Sequence, residues 1–422
     1  MNRQQINSYV RYLTRRKSEL NALILKGEKK DIEEFDLVEH DLRSTLLTTN
    51  IDLLDKNSKD LLDEYYVNED VSELLKLIRA SISEFSDNLR FRKKNFTTSK
   101  EFYKKQSLAC SAILSSRKEL AIALNISSFF ELENTNKNAI SILNDILSVA
   151  KNSVDELLTN NVNVFESDYN ELLRKYTNSV SSIKFDRDVY LSNFFSYIEC
   201  ESETLSFKYQ HSVPSVQVYF NDINIGLIQF CSDAPMNANI YANAVEGLGG
   251  ISYVFYKSSD SFSMQNAIVL NHEIGHALQS LVIDHKHNLN PTSINKDYFE
   301  LVSQFFEELL LEGKFIPSEL SCVTEDIYSA KILTHLRTIK TCVLSILDLF
   351  FHTSGDFEGT IERVKSITER HNINFFDINE LSHSHVHSFA SHYAAKHYVY
   401  PLSRASASNL LYKDIDYVIS RF

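Results

Sequence analysis

Between Met1 and Cys200 the chain has one glycine, Gly27, and no proline. A stretch so poor in breakers, dominated by Leu, Ile, Lys, Glu and Asn, reads as long helices. Gln4 to Leu25, Ser72 to Lys94 and Ile140 to Asn160 are the expected examples. Polar breaks fall near Asn134 to Lys137 and Thr159 to Asn163. The texture changes after Glu203. Ser215 to Phe220 alternates and is rich in β-formers, Asn221-Asp222 can turn, and Ile223 to Phe230 alternates again, which predicts a hairpin. Gly247, Gly249 and Gly250 form a cluster that would let another backbone approach or simply make a turn, and Ile251 to Tyr256 reads as a further strand. From Glu300 onward the pattern is helical again, through Leu344 to Phe351 and Phe375 to Leu381. The expectation is a mostly α, two-lobed chain with a small β-sheet near its centre, divided into a helical lobe, 1–203, and a second lobe, 204–422.

The most specific chemistry lies at His272-Glu273-Ile274-Gly275-His276, within an apolar run from Asn266 to Ile283. Two His four apart share one face of a helix, one turn apart. Buried imidazoles on an apolar helix need a partner, and a metal would supply it. Zinc sites of the hydrolytic class use two imidazoles and a carboxylate and leave a position for water. Glu273, next to the first ligand, is placed to take a proton from that water. Gly275 in mid-helix is unfavourable by about 1 kcal/mol against Ala, so in a chain of nine glycines it suggests that another backbone passes close by.

A second helix is expected around Tyr298, Leu301, Val302, Phe305, Phe306, Leu309 and Leu310. Glu300 is the candidate third ligand. Glu307, seven residues on, shares its face and can accept a ligand His N–H, fixing its tautomer. Glu308 reads as a solvated edge. The same ligand set also accepts cobalt or manganese.

These motifs resemble the thimet oligopeptidase and oligoendopeptidase F family of zinc metallopeptidases. That family carries His-Glu-x-Gly-His-Ala, and His272-Glu273-Ile274-Gly275-His276-Ala277 is similar. Its second helix has the form Asp-Phe-x-Glu-x-x-Ser-Gln-x-x-Glu, against Asp297-Tyr298-Phe299-Glu300-Leu301-Val302-Ser303-Gln304-Phe305-Phe306-Glu307 here. A third likeness is His392-Tyr393-Ala394-Ala395-Lys396-His397-Tyr398-Val399-Tyr400, similar to the family's His followed by a Tyr-rich helix. The resemblance implies His272, His276 and Glu300 as ligands of one zinc per chain and Glu273 as general base. It implies Tyr400, with Tyr398 and Tyr393 as the competing choices, as hydrogen-bond donor to the oxyanion, and His392 as an assisting residue, with His387 the runner-up. The chain departs from the pattern at Pro401, where a kink is expected. The alternating His383, His385 and His387 read as a Ser-rich surface loop.

The implied activity is a zinc-dependent endopeptidase acting on internal bonds of short peptides. The alternatives are a maturation protease dedicated to one partner protein and a catalytically silent peptide-binding relative. The resemblance also implies a sheet edge by the cleft that takes substrate backbone. A net charge of −13 does not favour nucleic acid or anionic membranes as partners. The basic run Arg90 to Lys105, interleaved with aromatics, reads as a solvated helix face. Five widely spaced Cys suggest neither a disulfide framework nor a thiolate metal site. Met1 to Arg16 lacks the apolar core of a signal peptide, and no apolar run reaches spanning length. A cytoplasmic protein is expected.

Overall fold

A computed structural model describes residues 100–134, 137–165, 168–181, 184–209, 215–232, 242–245, 250–257, 262–287, 300–316, 323–373, 375–390 and 394–419, together with 80–89 and scattered earlier positions. The expected helix Gln4 to Leu25 lies almost wholly outside the described residues. Of Ser72 to Lys94, residues 80–89 are helical. In chain order the elements are α1 Lys100–Ala123, α2 Phe129–Glu133, α3 Ala139–Thr159, α4 Tyr169–Val180, β1 Lys184–Phe185, α5 Arg187–Glu201, β2 Leu205–Tyr209, β3 Ser215–Phe220 and β4 Ile223–Cys231. They continue with β5 Ala242–Val245, β6 Ile251–Tyr256, β7 Phe262–Ser263, α6 Met264–His287, α7 Leu301–Leu311, α8 Val323–Ser354, α9 Phe357–Arg370, α10 Ile378–His383, α11 Val386–Ala390, α12 Val399–Leu410 and α13 Ile415–Ile419. The chain is mostly helical, with a small sheet.

The chain forms two compact units, and each draws on separate parts of the sequence. One comprises residues 1–66, 176–331 and 406–422, the other 67–175 and 332–405. The first unit holds the sheet, in the order β2-β3-β4-β6-β5. All pairings are antiparallel except β4 with β6. The β3–β4 turn falls at Asn221 and Asp222, with φ of 50° and 62°. Two positive φ values make a type I′ turn, whose twist suits a hairpin, and Asn and Asp tolerate that region. Val216, Val218 and Phe220 of β3 alternate into the core. Gly226 lets β4 approach the loop before β6: with φ at 149°, an added Cβ would lie 2.3 Å from the Gly250 carbonyl oxygen. The sheet packs on α6 through β4, β5 and β6, so it lies beside the His-Glu-x-x-His helix. Asp416 fastens the start of β2, accepting from the Glu203 N–H at 2.6 Å and the Thr204 hydroxyl at 2.6 Å.

The second unit is helical. Asn138 caps α3 by accepting from the Ile140 and Ser141 N–H groups at 2.9 and 3.3 Å, which fixes the start of the helix expected at Ile140. Phe351 of α8 stacks on Phe357 of α9 at 5.3 Å and meets Phe389 of α11 at 5.1 Å. All three are buried. The described part of the basic run, Lys100 to Lys105, lies on α1, where Lys105 and Glu101 form an exposed i,i+4 pair, consistent with a solvated face.

Two local expectations are corrected. The His383 to His387 segment is not a surface loop. His383 ends α10, His387 lies in α11, and His383 and His385 are buried. Both are buried because both rings are satisfied. His383 Nδ1 lies 2.6 Å from the Asn379 carbonyl and its Nε2 2.8 Å from the Ser107 hydroxyl. His385 Nε2 donates to the Leu344 carbonyl at 2.8 Å while its Nδ1 accepts from the Ser388 N–H at 3.2 Å. Pro401 does not kink a continuing helix either. It sits in the first turn of α12, where the missing N–H has no intrahelical partner to lose.

Candidate active site

The first unit brings α6 and α7 against each other at Gly275. A Cβ there would lie 2.5 Å from the Ser303 Cα and 2.8 Å from its N. Only glycine permits that approach, so the close backbone expected from sequence is the N-terminal turn of α7. A buried chain of hydrogen bonds sets the register. The Tyr190 hydroxyl of α5 donates to Asn271 Oδ1 at 2.8 Å, and Asn271 Nδ2 donates to the Phe306 carbonyl at 3.3 Å. Asn271 directly precedes His272. Its place as a polar residue in the run Ala267 to Leu270 was the signal that could have marked it.

This packing puts the three candidate ligands together. His272 Nε2 and His276 Nε2 are 3.1 Å apart, and Glu300 Oε2 lies 3.3 and 3.6 Å from them. Among the described residues, His272, His276 and Glu300 are the group able to hold a metal ion. Ligand atoms on a tetrahedral zinc at about 2.0–2.1 Å are about 3.3 Å from one another, so the residues present fit such an ion. Glu300 is 2 % exposed and stands at the N-cap of α7, one residue before the helix. Asp297, Tyr298 and Phe299 lie outside the described residues. His272 Nδ1 is 2.6 Å from Glu307 Oε1. With the Nδ1 proton given to Glu307, a neutral His272 presents the Nε2 lone pair to the other ligand atoms.

The electrostatics show how strongly these groups depend on one another. Burial pushes the Glu300 carboxyl up, but the charges and hydrogen bonds of His276 and His272 hold it well below the usual range. Burial pushes His272 down, and Glu300 and Glu307 raise it well above its ordinary value. The pocket therefore favours a positive charge between Glu300 and the imidazoles, which a divalent ion satisfies as well as a proton does. Glu273 differs. Burial raises its carboxyl, only partly opposed by His272, His276 and the Ala244 N–H. That N–H, on β5, donates to Glu273 Oε2 at 2.6 Å. β5 is at the edge of the sheet among the described residues, so the edge strand touches the candidate base directly. Ala244 carried no sequence signal.

Tyr398 and Tyr400 lie in the second unit. Tyr398 is buried, and its hydroxyl donates to Asn134 Oδ1 at 2.8 Å. Tyr400 is half-buried, its ring 5.1 Å from that of His397 and 5.8 Å from that of the exposed His387. His392 lies outside the described residues. No described helix is long and apolar enough to cross a membrane, and no disulfide forms among the described residues.

Comparison with curated proteins finds no match. Among solved structures, a "putative peptidase from Chlamydophila abortus" is 12% identical, with a TM-score of 0.54 over 98% of this chain and 80% of that one. A Pyrococcus furiosus carboxypeptidase is 12% identical, with a TM-score of 0.55 over 99% of this chain and 87% of that one. These likenesses show a shared fold. The model of Peptidase family M3 matches residues 255–417, which span both motif helices and the Tyr-rich segment. Over those residues the chain is similar to Peptidase family M3, and that match supports a metallopeptidase hydrolase.

Proposed function

We propose that the chain is a zinc-dependent endopeptidase that cleaves internal bonds of short peptides. The observation that carries this reading is the triangle of His272, His276 and Glu300 ligand atoms, with edges of 3.1, 3.3 and 3.6 Å. His272, His276 and Glu300 would hold one zinc per chain, and Glu307 would fix the His272 tautomer. A zinc held there supplies Lewis acidity toward the scissile carbonyl and lowers the pKa of water. Glu273 takes a proton from the attacking water and returns it to the leaving amine. Burial raises its carboxyl, the direction that strengthens it as a base. The Ala244 N–H keeps the carboxylate aimed. Tyr400 is the candidate donor to the oxyanion and His392 the assisting residue. Both assignments rest on the similarity of His392 to Tyr400 to the family motif. The restriction to short peptides likewise comes from the resemblance.

The test is metal content and cleavage of a mixed short-peptide library, read by mass spectrometry, on native protein beside Glu300→Ala and Glu273→Gln. One zinc per chain and internal cleavage are expected in the native protein. Glu300→Ala should lose both. Glu273→Gln should keep the metal and lose cleavage. A folded native chain that takes up no metal would end the metal-site reading. Release of C-terminal residues only would end the endopeptidase reading.

A further inference from the structure

The second unit contains a buried polar cluster that the proposed chemistry does not use. At its centre is Asp348 of α8, 1% exposed. Its Oδ1 accepts from the Ser388 hydroxyl at 2.6 Å and the Ala395 N–H at 3.2 Å, and its Oδ2 accepts from the His397 N–H at 3.0 Å. Burial would raise this carboxyl, but His352, His385 and His397 hold it far below the usual range. Arg117 braces the same segment, donating to the carbonyls of Ser388 and Phe389. A buried carboxylate with this many donors from one stretch of chain dictates that stretch's path.

The path is a strained one. Ala395 has φ of 63°, the left-handed region, which is unfavourable for a residue with a Cβ by about 1–2 kcal/mol. Such strain persists only where the surroundings over-determine it, and it concentrates at functional sites. Here two side chains do so from opposite ends of the peptide. Asp348 takes the Ala395 N–H, and Asn134 Nδ2 donates to the Ala395 carbonyl at 2.8 Å. Asn134 also donates to the Phe130 carbonyl at 3.0 Å and accepts from the Tyr398 hydroxyl at 2.8 Å. The clamped turn leads straight into α12, where the Tyr400 N–H donates to the His397 carbonyl at 3.2 Å.

We infer that Asp348 and Asn134 are positioning residues for Tyr400, clamping a left-handed Ala395 so that the turn delivers that phenol, and that Tyr398 is part of the clamp rather than an oxyanion donor. The inference rests on the role of Tyr400 in the proposed function. Tyr398 could not give its only proton to a substrate oxygen while giving it to Asn134.

The test compares kcat and KM for a quenched-fluorescent peptide in the native protein, Tyr400→Phe, Asp348→Asn, Tyr398→Phe and the double variant Asp348→Asn/Tyr400→Phe, with metal content measured throughout. Tyr400→Phe should lower kcat about a hundredfold, the usual effect of losing one oxyanion donor. Asp348→Asn keeps one acceptor oxygen and turns an amide toward a donor. It should lower kcat at least tenfold with KM and metal content unchanged, and add nothing to Tyr400→Phe. Tyr398→Phe should lower kcat only severalfold. Should Asp348→Asn fail to fold, Asn134→Asp carries the test under the same criteria, since it keeps the acceptor for Tyr398 and loses both amide donors. The clamp is overturned if Asp348→Asn keeps native kcat, or if its loss multiplies with that of Tyr400→Phe, because a merely structural role would not converge on one phenol. A hundredfold loss in Tyr398→Phe would also overturn it, by making Tyr398 the donor. A fully active Tyr400→Phe removes the role of Tyr400 and the clamp with it. Absence of metal and cleavage in the native protein is a separate result, removing the peptidase reading first.

Discussion

The two histidine-bearing regions of this chain were unequally legible. Around His272 the four-residue interval fixes the geometry, because a helix places both rings on one face whatever surrounds it. Around His383 to His397 the intervals say little. His385 is buried because the Leu344 carbonyl and the Ser388 N–H satisfy it, and Leu344 is 41 residues away. Local spacing therefore specifies a site when its geometry belongs to one helix. It fails when the geometry is set by partners from distant segments.

The largest effect expected to sharpen this contrast comes from Gly275. A Cβ there meets backbone, at 2.5 Å from the Ser303 Cα, and backbone cannot rotate away as a side chain can. Gly275→Ala should destabilise the protein by about 3 kcal/mol, at the upper end of ordinary overpacking, and should weaken metal binding by moving Glu300 and Glu307 away from the two His. Urea denaturation and zinc titration check both. An unchanged midpoint with native metal affinity would show that α6 and α7 do not meet at this point.

A similar energy is at stake in the second region, where it appears as pH dependence. Burial pushes His385 down to about 4, against the smaller raising effects of Asp348 and the Leu344 carbonyl, with His387 and His352 adding to the fall. Above pH about 6.5 the ring is neutral in both folded and unfolded chains and incurs no penalty. As pH falls from there toward 4, the unfolded chain takes up a proton that the folded chain refuses, so stability is lost through that window. The full difference is up to about 3 kcal/mol. His385→Gln keeps a donor and an acceptor but does not titrate. It should flatten the loss of stability between pH 6.5 and 4, measured by urea midpoints across the range. A variant that loses stability with pH as steeply as the native chain would mean that the ring is not held neutral.

Much of the fold was visible in the sequence. The hairpin and its Asn221-Asp222 turn, the strand at Ile251 to Tyr256 and the helix from Ile140 all follow from local pattern and breakers. The composition change at Glu203 falls just before β2, whereas the compact units interleave segments from the whole chain, because packing joins residues that composition cannot relate. β2 and β5 had no marker: Leu205 to Tyr209 is short, and Ala242 to Val245 is too small and polar to read as a strand. With β5 hidden, the Ala244 contact to Glu273 was hidden too. Pro401 marks a helix start rather than a kink, since a proline in the first turn has no intrahelical N–H bond to lose.

The smallest effect probes how much of the legible site extends beyond the ligands themselves. Glu307 is 8% exposed and its Oε1 lies 2.6 Å from His272 Nδ1. The seven-residue interval from Glu300 placed it on the right face, so this partner, unlike Asp348, could be read before the structure. Glu307→Gln preserves shape and can still accept the Nδ1 proton through its amide oxygen, but it removes the charge that makes His272 a stronger donor to a metal. Loss of such a partner typically lowers metal affinity tenfold to a hundredfold, about 1.4–2.7 kcal/mol. Competition with a chelator should show a loss of that size. Cleavage should return toward the native rate once zinc is saturating, because neither a ligand nor Glu273 has been altered. Native affinity in Glu307→Gln would reduce the contact to packing. A rate that stays low at saturating zinc would instead place Glu307 in the chemistry itself.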